Sequence, residues 1–83
     1  MCSYVTEKTP VTGSAKGRTG WFELRDAVVY FDHPYATPLD HTLNIDFVNS
    51  ELGPDARVAV ELSPESARAL VRCIEVALSA GSA

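Results

Sequence analysis

The stretch from Ala27 to Val48, AVVYFDHPYATPLDHTLNIDFV, constrains the chain more than any other. Apolar and polar residues alternate on both sides of a segment that carries Pro34 and Pro38. Period-two alternation marks a half-buried strand, and proline cannot donate to a sheet ladder. The stretch therefore predicts two strands joined by a loop over 33–40. In the first, Ala27, Val29, Phe31 and His33 share one face, and Val28, Tyr30 and Asp32 the other. In the second, His41, Leu43, Ile45 and Phe47 lie opposite Thr42, Asn44 and Asp46.

The flanks extend this pattern. Tyr4, Val5 and Thr6 favour extended structure, so Met1–Lys8 holds a short first strand. Residues 10–20, PVTGSAKGRTG, read as a surface loop with Lys16 and Arg18 as its charges. The phosphate-cradling pattern of glycine, four residues and Gly-Lys-Ser/Thr is absent from it. Trp21–Asp32 is interrupted at Arg25-Asp26 by a turn or bulge that can split it into two strands. A turn at Gly53-Pro54 leads into a further strand, Ala56–Leu62, with Val58, Val60 and Leu62 inward.

A helix follows. Ser63 is an N-cap, Pro64 suits the first helical position and Glu65 complements the positive helix end. Ala67, Leu70, Val71, Ile74, Ala77 and Leu78 recur at three- and four-residue steps, up to an end near Ala80-Gly81. The expected fold is α+β, an antiparallel β-sheet of three to five strands with one C-terminal α-helix packed on a face. The helix stripe is expected to bury against Val29, Phe31, Leu43, Ile45, Phe47, Val58 and Val60. The mixed opposite face is left for solvent or a dimer contact.

Composition sets bounds on function. Eighty-three residues make a single domain, 1–83, with a thin core. A homodimer sharing a sheet face or edge is the natural remedy. The net charge of −4 argues against nucleic acid and anionic membrane, which call for excess Lys and Arg. No apolar run approaches a membrane span and no leader pattern opens the chain, so the expected location is cytoplasmic. Cys2 and Cys73 are then expected to be free thiols.

Both histidines fall where the two strands meet the loop. Strand parity turns His33 and His41 to the same face at the same end of the sheet. Cross-strand neighbours have Cβ atoms roughly 4.5–5.5 Å apart, close enough to share a metal. Asp32 and Asp40 precede the histidines and point away, as loop caps rather than partners of the rings. Cys2 is the candidate third ligand. Removal of Met1 would leave it as the N-terminus, with a thiolate and an α-amine able to chelate together. Thiolate with imidazole suits a divalent transition metal, Zn, Fe, Cu or Ni, with an open position for water, dioxygen or substrate.

The eight-residue separation matches no standard zinc motif, and the alternative is a histidine pair that merely flanks a loop. Weaker groupings are Cys2 as an N-terminal nucleophile, His41 with Ser3 or Ser50, and a small-molecule pocket of Tyr4, Trp21, Phe22, Tyr30 and Tyr35.

The opening MCSYVTEK, the central YFDHP with LDH, and the closing VELSPE resemble a family of short uncharacterised bacterial proteins that open Met-Cys-x-Tyr. The resemblance spans almost the whole chain and implies no activity, so it transfers no catalytic residues. The leading expectation is a small cytosolic metal-binding protein, in its strongest form a compact metalloenzyme, with a site from His33, His41 and Cys2. The alternative is a metal-free protein-interaction or small-ligand-binding module, also dimeric.

Overall fold

In the computed structural model, which describes residues 5–81, the Ala27–Val48 stretch forms the centre of the sheet. Strand β4 (Asp26–Asp32) pairs antiparallel with β5 (Thr42–Val48), placing Val29 opposite Ile45 and Phe31 opposite Leu43. β1 (Thr6–Pro10) adds to the outer edge of β4, and β6 (Arg57–Leu62) to the outer edge of β5. The sheet order is β1-β4-β5-β6, antiparallel throughout. The first strand thus begins later than its propensities suggest, and residues 1–4 of that expectation lie outside the described residues.

Residues 10–20 correct a second expectation. They are not a plain loop: β2 (Ser14–Gly17) and β3 (Gly20–Glu23) pair as a hairpin turning through Arg18-Thr19. Gly20 takes φ of +121°, a conformation side-chain-bearing residues rarely adopt, and this closes the turn. Gly17 is needed for a different reason: a Cβ there would meet the Phe22 ring at 3.0 Å. The hairpin is tied to the main sheet where Asn49 Nδ2 donates to Glu23 O (2.9 Å), while Asn49 Oδ1 accepts from Glu51 N (3.1 Å). That second bond caps a 3-10 turn over Ser50–Leu52.

The helix, α1 (Pro64–Gly81), starts as its cap residues dictate. Ser63 Oγ accepts from Ser66 N at 3.1 Å. α1 lies over β5 and β6. Its apolar stripe faces the sheet side but is not covered: Leu70, Val71, Ile74 and Leu78 are all exposed, and no described helix residue is buried. Among the described residues the buried apolar side chains are Ala27 and Ala56. The larger inward side chains, Phe31, Leu43, Ile45, Phe47 and Val60 among them, are half-buried.

Burial is deeper among polar residues. Thr42 and Asn44 lie on the mixed face, left by the sequence for solvent or a dimer contact, and both are buried within the chain, with Thr42 Oγ1 donating to Asn44 Oδ1 at 2.6 Å. No described helix is long and apolar enough to cross a membrane.

Candidate functional site

The β4–β5 register, Asp32 opposite Thr42, carried one step further sets His33 opposite His41 at the rim of the sheet. The imidazoles stack with centroids 4.6 Å apart and planes 28° from parallel. His41 also stacks with Phe31, at 5.7 Å and 19°. Strand parity thus brings the two rings together, as the alternation requires.

The surroundings orient the rings. His33 Nδ1 lies 3.0 Å from the Asp40 carbonyl oxygen. A carbonyl oxygen only accepts, so this contact assigns the proton to Nδ1 and, in the neutral ring, the lone pair to Nε2. An Nδ1–H held by a main-chain carbonyl is the usual outer support of a metal-binding histidine. Asp32 acts on the backbone instead. Its Oδ1 accepts from His33 N at 2.7 Å and so caps the strand end. Asp40 reaches the His33 ring through its main-chain carbonyl.

Among the described residues, no group of three His, Cys, Asp or Glu stands together to hold a metal. Cys2, the expected third ligand, lies outside the described residues. Cys73 is a free thiol exposed on α1.

Sequence reasoning missed the residue that holds the loop. Glu61 on β6 accepts through its carboxylate from three successive backbone N–H groups, those of Tyr35, Ala36 (3.0 Å) and Thr37 (2.9 Å). These donors, Tyr35 foremost, stabilise the charged form and lower its pKa from 4.5 to about 2. The latched loop borders a cavity of about 570 Å³ lined by both polar and apolar side chains, Tyr30, Asn44, Asp46, Arg57 and Val60 among them. Burial pushes the Tyr30 hydroxyl pKa up, with the Asp46 carboxylate adding to it.

On the opposite face, an apolar groove of about 530 Å³ runs between the sheet and α1. Val29, Phe31, Leu43, Ile45 and Leu62 form its floor and the α1 stripe its wall. Phe31 belongs both to this floor and to the ring stack, so the histidines sit at the end of the groove.

These features define an α+β domain with an imidazole pair at one rim and an uncovered apolar face beside it. The chain belongs to the family of unknown function DUF6295, which matches residues 1–83. No curated protein and no solved structure matches it.

Proposed function

We propose that the protein is a small metal-binding protein of the bacterial cytoplasm, in which His33 and His41 supply two ligands and the Cys2 thiolate a third. The observation that supports this most is the 4.6 Å approach of the two rings, with His33 Nδ1 set on a carbonyl. Stacked rings present their nitrogens along neighbouring edges. A common ion needs a turn about χ2, a broad torsion in histidine. The ions suited to such a set are Zn, Fe, Cu and Ni. Fewer than four protein ligands leaves a position for water or substrate, the arrangement of catalytic rather than structural metal.

Elemental analysis of untagged protein tests the reading. Stoichiometric metal is expected, and it should be lost in a His33→Ala/His41→Ala variant that keeps its far-UV circular dichroism. Metal-free protein whose melting does not move on adding any of the four ions would overturn it.

A second reading, an interaction or small-ligand-binding module, has its own support in the open apolar groove beside the histidines.

A further inference from the structure

We propose that the groove between the sheet and α1 is the contact with a second copy of this chain, the helix ridge of each copy filling the groove of the other. The proposal rests on the interaction reading above and is independent of metal.

The first support is the lack of a closed core. Folding is driven chiefly by removing apolar surface from water. Here Leu70 is 41%, Ile74 50%, Val71 56% and Leu78 65% exposed, and the sheet residues facing them are half-buried. A domain whose buried apolar side chains, among the described residues, are two alanines has little to set against the entropy of ordering its chain.

The second support is the amount of surface. A compact monomer of 9.0 kDa should expose roughly 4,900 Å². This chain exposes 6268 Å². The excess, summed over the whole surface, is on the order of 1,000 Å² or more per chain, enough to accommodate what each subunit contributes to an obligate homodimer contact. Shape agrees. The radius of gyration is 14.0 Å, against about 12 Å for a compact domain of this length.

The third support is the form of the face. A twofold contact requires one surface to be complementary to itself. On this face the groove's own helical wall, Leu70, Val71 and Ile74, is 41–56% exposed and so stands as an apolar ridge beside the groove floor. A ridge and a groove on one surface satisfy that requirement reciprocally. Arg68 is the charged residue of the lining, so the groove offers little to a charged partner. A second copy is also the one partner present at equal concentration whenever the chain folds.

Sedimentation velocity on the full wild-type chain tests this from about 1 to about 100 µM, together with melting over the same range. The expected mass is twice 9.0 kDa, with a melting midpoint that rises with concentration. Val71→Glu/Ile74→Glu should halve the mass or abolish the folded signal. Val76→Glu, on the opposite side of the helix, should leave both mass and midpoint unchanged. A wild type that stays one chain in mass, with a midpoint independent of concentration, overturns the proposal, as does a pair that survives Val71→Glu/Ile74→Glu intact. Denaturing extraction and mass spectrometry separate the two ways of failing. A single chain that releases a bound apolar small molecule keeps the ligand-binding reading and removes the second copy. A single chain that releases nothing and tolerates the double variant removes both.

Discussion

A single carboxylate, Glu61, decides where the 33–40 loop goes. Its bonds to three consecutive N–H groups fold the loop over the Tyr30–Asn44–Glu61 row of the sheet and so account for the buried Asn44. Its lowered pKa gives this latch a pH signature. The charged form is the bonded one, so the stabilisation is full above 4.5 and is lost as pH falls toward about 2. Glu61→Gln should therefore be less stable at neutral pH, and the gap between variant and wild type should close across that acid window, as read from thermal melts at stepped pH. A constant gap would mean that the charge of Glu61 is irrelevant to the latch. None of this was legible in the sequence, because the donors lie 24 to 26 residues away and no local pattern joins them. The histidine pair was legible, since alternation alone assigns both rings to one face and the proline loop forces the two strands together.

At the scale of elements, the helix and the hairpin differ in how openly their sequences declare them. Ser63-Pro64-Glu65 and the three- and four-residue apolar steps specify α1 almost to the residue. Ser63→Ala removes the acceptor for Ser66 N and should cost about 1 kcal/mol, seen as a lower denaturant midpoint at unchanged slope. The β2–β3 hairpin is hidden because Ser-Ala-Lys-Gly has weak strand propensity and its turn lacks the Asn-Gly or Asp-Gly signal. Arg18 and Thr19 keep negative φ, and the positive φ falls on Gly20, just past the two-residue turn. Gly20→Ala isolates that backbone term, because a Cβ there meets nothing within 4 Å. It should destabilise by on the order of 1–2 kcal/mol. Gly13→Ala has the same open surroundings and no positive φ, so it should stay within about 0.5 kcal/mol of wild type. Equal effects from the two substitutions would show that backbone conformation at Gly20 is not what closes the hairpin.

Across the whole molecule, the most deeply buried side chains lie on the mixed face and not under the helix. The apolar face, expected to close, stands open under α1, while the mixed face, left for solvent or a dimer contact, holds Thr42 and Asn44 at 0% and 4% exposure. Periodicity reports which residues share a face. It cannot report whether the chain itself or another copy covers that face, and coverage by another copy is what we propose. Such a contact has a thermodynamic character of its own. Association through apolar side chains weakens on cooling, because the free energy of removing apolar surface from water falls with temperature. It also responds little to salt, because Debye screening acts on charges and Arg68 is the charge in the lining. Sedimentation at about 5 °C should therefore show the pair dissociating several-fold more readily than at about 25 °C. Raising NaCl from about 0.05 to about 0.5 M should change its dissociation constant by less than about twofold. A pair that loosens about tenfold in salt and is indifferent to cooling would be held by ion pairs and not by the α1 groove.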